Sequence, residues 1–173
     1  MKLQNPLVSI IINCFNGDKY LQEALQSVLN QSYKNWEIVF WDNQSSDNSA
    51  NIFKSYKDER FKYFYSKKHT SLYKARNCAI EKTKGELLAF IDTDDLWDQN
   101  KLELQVPFFK NPEVTLVYSN LWITKENIKN KKIFIKKNSP SGYVYEKLLN
   151  NYNVGIITAV LRKSIVNKLP KLF

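Results

Sequence analysis

Three carboxylates stand within four positions at the end of an apolar segment. Residues 87–91 (LLAFI) have no polar side chain, and Asp92, Asp94 and Asp95 follow them. Like charges this close repel one another, so the sequence needs either a solvated turn or a bound cation here. Mg²⁺ and Mn²⁺ prefer oxygen ligands, and carboxylate-bound Mg²⁺ also binds substrate phosphates. The first hypothesis is therefore that Asp92, Asp94 and Asp95 bind Mn²⁺ or Mg²⁺, which in turn holds a diphosphate.

The elements that must position these aspartates follow from the apolar pattern. Apolar runs predict four strands, and apolar residues at four-residue spacing predict three helices between them. The strands are residues 7–16, 36–41, 60–66 and 87–91, and the helices are residues 18–30, 49–57 and 70–84. Gly85 is expected at the C′ position of the third helix. The alternation predicts an α/β, Rossmann-like fold, with a mostly parallel central sheet and helices on both faces.

The pattern beyond residue 95 also alternates between helices and strands. It predicts helices over 100–109 and 142–151, and strands over 114–119, 131–137 and 155–162. No repeat, low-complexity linker or internal boundary separates this part from the first. We therefore expect one domain over residues 1–173.

Polar clusters follow each of the first four predicted strands. They are residues 13–16, 42–47, 66–69 and 92–95. The carboxyl ends of parallel strands meet at one edge of a sheet, where such folds bind ligands. The chain has four glycines and neither a GxGxxG nor a GxxxxGK[ST] motif, so a glycine-rich cradle for phosphates is absent from the sequence. This favours a metal ion as the counter-charge for a diphosphate.

Two other interpretations of the aspartates fit less well. A calcium loop from Asp92 to Glu103 would have Leu96 and Trp97 where an oxygen ligand and the turn glycine belong. A phosphotransferase of the haloacid-dehalogenase type would need Thr or Val at position 96, and its motif would open the chain.

The amino-acid composition limits the classes of binding partner and the cellular location that we expect. The net charge is +9, but lysine supplies it almost alone, so we expect no nucleic-acid partner. The lysine-rich residues 125–137 are interpreted as a solvated strand or hairpin face, or as a contact for an anionic membrane surface or acceptor. Two cysteines without a CxxC pair, and no apolar run long enough for a membrane span, predict a cytoplasmic protein, with peripheral contact at the inner face of the membrane as an extension.

Two long segments carry a resemblance to a known family. They are VSIIINCFNGDKYLQEALQSVLNQSYKNWEIVFWDNQSSDNS and KARNCAIEKTKGELLAFIDTDDLWDQNKLELQV. Both resemble family 2 glycosyltransferases with the GT-A fold, collinearly over residues 7–106. The resemblance implies metal-dependent, inverting transfer of a sugar from a nucleoside-diphosphate sugar, expected to be a UDP-sugar, to a glycan or lipid-linked acceptor. It implies a nucleotide-binding half at residues 1–95 and a partial acceptor half at 96–173.

The same resemblance implies roles for single residues. Asn13 and Phe15 would flank the base, Phe15 by stacking. Asn43 stands where the family has an aspartate that accepts a hydrogen bond from uracil N3–H. Its carbonyl oxygen can still accept that bond, whereas its NH₂ group would suit another base as the alternative. Arg76 is a candidate for the nucleotide or for an ion pair with the aspartates. Asp92 would bind the ribose and the metal, Asp94 would bind the metal, and Asp95 would be a further metal ligand or an orienting group.

Other residues receive structural interpretations. Asp42 and Asp47 are expected to order their loop or to cap the next helix. His69 is expected to lie in a surface loop, with a place on the site's rim as the alternative. Trp97 and Trp122 are expected to pack, with a sugar platform as the alternative for Trp97. Cys14 is expected to be an inert buried thiol.

The catalytic base is the missing part of the pattern. In the family it lies in an acidic motif downstream, whereas the only acids after Glu113 are Glu126 and Glu146, of which Glu146 is a poor match. We therefore expect the base beyond Phe173, in a segment that this chain lacks. The alternative function is a nucleotide-sugar-binding module without catalysis. A nucleotidyltransferase is disfavoured because NCFNGDKY is not a glycine-rich phosphate loop.

Overall fold

A central sheet of six strands organises the fold. A computed structural model describes residues 4–124, 131–135, 139–150, 154–166 and Lys168. The strands are β1 (Val8–Cys14), β2 (Trp36–Asp42), β3 (Phe61–Tyr65), β4 (Leu87–Phe90), β5 (Leu116–Val117), β6 (Trp122–Ile123), β7 (Lys132–Ile133) and β8 (Val160–Arg162). The central sheet has the order β3-β2-β1-β4-β8-β5, and β6 and β7 form a separate two-stranded sheet.

The first four strands are parallel, as predicted. β1 lies between β2 and β4 and pairs in parallel with both, while β3 pairs in parallel with β2. β8 runs antiparallel to its neighbours β4 and β5. The chain thus proceeds outward from β1 on one side and returns to β4 on the other. This reversal opens a crevice at the carboxyl ends of β1 and β4, the position at which open α/β sheets bind ligands.

Six α-helices lie among the described residues. They are α1 (Asp18–Leu29), α2 (Ser49–Ser55), α3 (Leu72–Lys82), α4 (Lys101–Gln105), α5 (Tyr145–Asn150) and α6 (Lys163–Val166). A 3₁₀ helix continues α4 over Val106–Lys110, and another spans Ile156–Thr158. No helix in these parts of the chain is long and apolar enough to span a membrane.

Helices cover both faces of the sheet, as the sequence predicted. On one face, Ile10 and Ile12 of β1 form a core with Leu21 and Leu25 of α1 and Phe53 of α2. Their alternation with Ile11 places that side chain on the opposite face, where it joins Val39, Leu88 and Ala79 of α3. All these side chains are buried. The sheet is therefore apolar on both faces, which explains the continuous apolar runs of β1, β2 and β4.

The expectation that Gly85 terminates α3 as a left-handed C′ residue is wrong. The helix ends at Lys82, its C-cap is Thr83 in an extended conformation, and the only glycine with a positive φ is Gly142. Gly85 lies instead against β1, where an added Cβ would come within 2.5 Å of the Leu7 carbonyl oxygen and 2.7 Å of the Ser9 nitrogen. Position 85 lacks a side chain because two backbones approach closely there.

The strands predicted in the last third of the chain are shorter than expected. Only Leu116 and Val117 of the predicted 114–119 strand pair with β8, and residues 156–158 of the predicted 155–162 strand form a 3₁₀ helix. Residues 125–130 and 136–138 of the lysine-rich segment lie outside the described residues, and the described remainder contributes β7 to a hairpin with β6. An apolar run shows that a segment can form a strand, but the length of that strand depends on how many residues of a neighbouring strand pair with it.

Candidate functional site

Loops from four strands come together at the carboxyl edge of the sheet. The Asn43 amide donates to the Cys14 carbonyl at 2.8 Å, and the Ser66 amide donates to the Asp42 carbonyl at 2.8 Å. These bonds link the ends of β1, β2 and β3 in series. The polar clusters that the sequence placed at the strand ends therefore form one rim.

The loop after β1 also touches the loop after β4. A Cβ added at Gly17 would lie 2.6 Å from the Oγ1 of Thr93 and 2.9 Å from its Cβ. The φ of Gly17 is −113°, which any residue adopts, so the glycine is needed for space rather than for its backbone angle. This contact brings the Asp92–Asp95 segment beside the end of β1.

Asp42 is a buried scaffold residue, as predicted. Its carboxylate accepts hydrogen bonds from the Ser45 amide at 2.7 Å and from the Tyr63 hydroxyl at 2.6 Å. The side chain is fully buried. Burial, together with the hydrogen bond to this carboxylate, raises the pKa of Tyr63. Asp42 thus ties the loop after β2 to β3.

Asp47 fixes the starts of two helices, as predicted. It accepts from the Asp18 amide at 2.9 Å and from the Ser49 amide at 3.0 Å, the first residues of α1 and α2. Partial burial would raise its pKa, but hydrogen bonds from Ser49 and from the Asp18 amide outweigh this and hold the pKa below its usual range. Asp47 therefore joins the loops after β1 and β2 through helix N-termini.

Asn43 is held by the loop that follows β3. Its Oδ1 accepts from both the amide and the hydroxyl of Thr70, each at 3.1 Å, and its Nδ2 donates to the Thr70 carbonyl at 2.7 Å. The residue is 6% exposed. These three contacts fix the orientation of the carboxamide and occupy both acceptor directions of its oxygen. Sequence reasoning missed Thr70, because the contact joins residues 27 positions apart.

Phe15 and His69 form an aromatic pair on the rim. The rings lie 4.3 Å apart at 60°, an edge-to-face arrangement, and Phe15 is 54% exposed. The Nδ1 of His69 lies 2.9 Å from the Asn43 carbonyl oxygen, which can only accept, so Nδ1–H donates to it. His69 lies in an exposed loop, as expected, and this loop also brings it onto the rim beside Phe15.

Asn13 ends in an unpaired donor. Its Nδ2 is buried and has no hydrogen-bond partner among the described residues. Leaving such a donor unpaired costs free energy of about 1–3 kcal/mol, which a ligand acceptor would offset. Asn13 lies in β1 one residue before its end, beside the crevice.

Asp92 forms an ion pair with Arg76. The guanidinium Nη2 lies 3.3 Å from Oδ1 of Asp92, and the side chains are 20% and 42% exposed. The ion-pair alternative predicted for Arg76 is therefore present. Because α3 supplies Arg76 and the loop after β4 supplies Asp92, the pair joins the helix to the crevice.

Asp94 and Asp95 form no ion pair with a cation among the residues that the structure describes. Burial, and then the neighbouring charges of Asp92 and Asp94, raise the pKa of Asp95 to about 6. The donor chemistry suits a hard divalent cation, which would relieve this repulsion. In this conformation, however, no three His, Cys, Asp or Glu side chains among the described residues converge as a metal site. Asp94 is exposed, so packing leaves its side chain free to turn toward a ligand.

A cavity of about 540 Å³ opens beside these aspartates. Its lining includes Asp94, Asp95, Trp97, Lys101 and Trp122. Trp97 is 7% exposed and donates from Nε1 to the Ile157 carbonyl at 3.1 Å, which confirms that it packs. Trp122 is 62% exposed, so the expectation that it packs is wrong. It belongs to the short β6–β7 hairpin, which offers too little surface to bury an indole.

Lys101 is a buried cation that sequence reasoning missed. It is 8% exposed, and its Nζ donates to Oε1 of Gln105 at 2.6 Å and lies 4.5 Å from the centroid of the Trp97 ring. No carboxylate pairs with it among the described residues, and burial lowers the pKa of Lys101 to about 7. A lysine in an amphipathic helix is ordinarily exposed, so the sequence gives no sign that Lys101 is buried. Only the contact with Trp97 in the structure identifies it.

Two further expectations concern groups without a role at the crevice. Cys14 is a buried free thiol, as predicted, and burial raises its pKa, which disfavours the reactive thiolate. Glu146 is exposed on α5, and it is not among the residues that line the cavity. Glu126 lies outside the described residues.

Comparison with known proteins identifies relatives over most of the chain. The model of the family described as glycosyl transferase family 2 matches residues 9–169. The UDP-Glc:alpha-D-GlcNAc-diphosphoundecaprenol beta-1,3-glucosyltransferase WfgD of Escherichia coli is 35% identical over 161 residues, covering 93% of this chain and 62% of that protein. The chain thus spans about three fifths of the length of this curated relative.

Solved structures share the fold. S. aureus TarS 1-349 in complex with UDP-GlcNAc superposes with a TM-score of 0.76 at 20% identity, over 92% of this chain and 46% of that one. The mannosyltransferase PcManGT from Pyrobaculum calidifontis, in complex with GDP-Man and Mn²⁺, gives a TM-score of 0.71 at 17% identity, over 96% and 48%. The predicted GT-A architecture is confirmed.

Proposed function

Since the chain belongs to family 2 of the glycosyl transferases, we propose that it binds a UDP-sugar and serves its inverting transfer to a glycan or lipid-linked acceptor. One observation carries the proposal. The strand-end loops bearing Phe15, Asn43 and Asp92–Asp95 meet at the point where the strand order reverses. One crevice therefore contains an aromatic ring for the base, hydrogen-bonding groups for the ribose, and carboxylates that would hold a metal ion for the diphosphate.

The nucleotide is assigned to the β1–β2 side of this crevice. The half-exposed Phe15 ring would stack on the base, and the unpaired Nδ2 of Asn13 would donate to a base carbonyl. The Asn43 oxygen already accepts two bonds from Thr70, so accepting uracil N3–H requires the Thr70 hydroxyl to turn away. The TarS complex with UDP-GlcNAc supports a uridine nucleotide.

The metal is assigned to Asp94 with Asp92 and Asp95. The like charges of Asp92 and Asp94 beside the half-buried Asp95 favour a cation, and the PcManGT complex with Mn²⁺ supports a divalent ion in this fold. When bound, such an ion supplies charge neutralisation of the departing diphosphate. Arg76 would hold Asp92 in place through its ion pair and leave the second carboxylate oxygen for the ribose or the metal.

The acceptor is assigned to the 540 Å³ cavity. Three aspartates, two tryptophans and two carboxamides, those of Gln105 and Asn120, are among its lining residues, a mixture suited to saccharide hydroxyls and ring faces. The printed activity of WfgD, on a diphosphoundecaprenol-linked sugar, supports a lipid-linked acceptor. The cytoplasmic location remains a prediction from the cysteine usage.

A second candidate function is donor binding without transfer. Inverting transfer needs a carboxylate that takes the acceptor proton. Of the acids after Glu113, Glu146 does not line the cavity, and Glu126 lies outside the described residues. This favours a nucleotide-sugar-binding module as the alternative for the chain by itself.

Calorimetric titration with UDP, with and without Mn²⁺, tests the proposal. We expect Mn²⁺-dependent UDP binding, with GDP weaker. Asp94→Asn should weaken binding at least tenfold, while the exposed Glu103→Gln on α4 should leave it unchanged. Absence of UDP binding in both conditions would contradict the donor assignment.

Turnover separates the two candidates. The chain is incubated with UDP-glucose, Mn²⁺ and an N-acetylglucosaminyl-diphosphoryl lipid, and both UDP release and glycosylated lipid are measured. Formation of the β-linked product supports the transferase. UDP binding without either product supports the binding module.

A further inference from the structure

The backbone of Thr70 fixes the orientation of the Asn43 carboxamide. The Thr70 amide donates to Oδ1 at 3.1 Å, and the Thr70 carbonyl accepts from Nδ2 at 2.7 Å. Since a backbone amide only donates and a backbone carbonyl only accepts, exchanging Oδ1 with Nδ2 would break both bonds. Asn43 is 6% exposed, so such an exchange would leave buried polar groups without partners. The oxygen and the nitrogen of this side chain therefore have different, defined partners.

In this orientation the Asn43 oxygen is fully occupied. A carboxamide oxygen accepts two hydrogen bonds, and Oδ1 receives both from Thr70, one from the amide and one from the hydroxyl at 3.1 Å. The nitrogen carries two hydrogens, and the Thr70 carbonyl takes one. His69 Nδ1 lies 3.5 Å from this nitrogen but cannot take the other hydrogen, because Nδ1–H itself donates to the Asn43 carbonyl oxygen. What Asn43 can offer to a base is therefore a donor.

Asn13 supplies a second donor on the same face of the sheet. Its Nδ2 is buried and has no hydrogen-bond partner in the part of the chain that the structure describes. In the register of β1 and β2, Asn13 lies opposite Trp41, which is two residues before Asn43. Because side chains alternate along a strand, Asn13 shares the face of Ile11, and Trp41 packs on the same α3-covered face. The two carboxamides thus lie on one face at the carboxyl end of the sheet.

Two donors without a free acceptor favour a base edge that accepts hydrogen bonds. Cytosine has adjacent acceptors at O2 and N3, whereas uracil has carbonyl oxygens on either side of its N3–H donor. Uracil can meet the donors through O2 or O4, but Asn43 offers its N3–H no acceptor. We propose that the crevice binds cytidine diphosphates as well as uridine diphosphates, with Asn43 as the residue that determines this specificity. The inference rests on the proposed function, which places the base beside Phe15, Asn13 and Asn43.

The Thr70 hydroxyl acts as a positioning group in this scheme. It occupies the second acceptor direction of Oδ1, and the backbone of Thr70 would hold the carboxamide even without it. Removing the hydroxyl frees one lone pair of Oδ1. A free acceptor favours uracil N3–H and opposes the lone pair of cytosine N3. Thr70 therefore sets the preference between the two pyrimidines through Asn43.

Calorimetric titration of UDP and CDP in the presence of Mn²⁺ tests the inference on the 173-residue chain. We expect the Kd of CDP to lie within about threefold of that of UDP, or below it. Thr70→Val should tighten UDP and weaken CDP, so that the ratio of the two Kd values shifts about tenfold toward UDP. Because both ligands are measured on the same variant, a partial loss of folded protein affects both titrations equally.

Two further variants separate this role from a general effect of the substitution. Thr70→Ser keeps the hydroxyl and should restore the ratio of Kd values to that of the unaltered chain. The matched control Thr115→Val, at an exposed position before β5, should leave the ratio unchanged. A shift in the control as large as that in Thr70→Val would overturn the role of Thr70.

The outcomes keep this inference and the proposed function apart. UDP binding with CDP at least tenfold weaker overturns the inference and leaves the donor assignment standing. An unchanged ratio in Thr70→Val also overturns it, because the occupied oxygen of Asn43 would then not decide the base. CDP binding without UDP binding supports the donor role of Asn43 and contradicts the uridine assignment alone. Binding of neither nucleotide contradicts both proposals.

Discussion

The loop after β4 and the β6–β7 hairpin line one cavity, yet they are held by different kinds of interaction. The loop belongs to a rim in which Asp42, Asn43 and Asp47 are buried or half-buried and saturate the backbone donors around them. The hairpin has two-residue strands and exposes most of its apolar side chains. The polar groups of the rim find their hydrogen-bond partners within the chain, whereas the apolar side chains of the hairpin stay exposed to solvent.

This contrast indicates what fixes the conformation of the rim and what fixes that of the hairpin. Buried polar side chains with two or three fixed partners allow a single arrangement, so the donor edge is preorganised before any ligand arrives. Exposed apolar side chains add little to folding and gain their burial from a partner. Substitutions should therefore affect folding strongly at the rim and weakly at the hairpin.

Asp42→Ala should have the largest effect. Its removal leaves the Ser45 amide and the Tyr63 hydroxyl without an acceptor, and we expect the free energy of unfolding to fall by about 3 kcal/mol. Urea titration measures this. Glu146→Ala, on the exposed face of α5, should change it by less than about 0.5 kcal/mol, and equal effects would erase the contrast between the halves.

Gly17→Ala should come next. The new methyl group would overlap Thr93, and overpacking of this kind costs about 1–3 kcal/mol. It should also weaken UDP binding by displacing the aspartate loop. Adding Thr93→Gly should restore both stability and binding. A double variant as damaged as the single one would show that this steric contact is not the cause.

Lys101→Met should change the pH dependence of stability. Burial lowers the pKa of Lys101 from 10.5 to about 7, so between these values the unfolded chain holds a proton that the folded chain does not. Stability from this group therefore rises with pH from about 7 toward 10.5, and the cost of the buried charge is complete below pH 7. We expect the variant to be more stable than the unaltered chain at pH 6, and this difference in unfolding free energy to shrink steadily as the pH rises from about 7 toward 10.5.

Urea titrations at several pH values, with the exposed Lys110→Met as the control, measure this difference. If the free energy of unfolding rises with pH equally in the unaltered chain and in both variants, a group other than Lys101 causes the rise.

Trp122→Ser should have the smallest effect on folding. Since the indole is 62% exposed, we expect a change in unfolding free energy within about 0.5 kcal/mol. A large loss of stability in thermal unfolding would mean that the hairpin is part of the core and would remove the contrast.

The sequence alone predicted the features that depend on neighbours along the chain. Apolar runs and their spacing gave β1 to β4 and the helices between them, and parallel pairing then placed Phe15, Asp42 and Asp92 on one edge. Asp47 was predicted as a capping or loop-ordering residue because helix starts have a local signature.

The features that sequence reasoning missed depend on contacts across the fold. Thr70 holds Asn43, and Thr93 occupies the space beside Gly17; neither contact leaves a periodic signal. Gly85 was misassigned because a glycine after a helix fits a C′ residue and a close backbone contact equally well. Lys101 was missed since its burial depends on Trp97 and Thr158.

The position of β4 has a consequence for synthesis on the ribosome. β4 can pair with β1 as soon as both strands have emerged, which completes the crevice. Its other edge, however, pairs with β8, whose first residue, Val160, follows Phe90 by 70 positions. At about 5–20 residues per second, the apolar edge of β4 is open for roughly 4–14 s. A nascent chain of this protein thus presents an unpaired strand edge for several seconds, in which a chaperone has time to bind before the sheet closes.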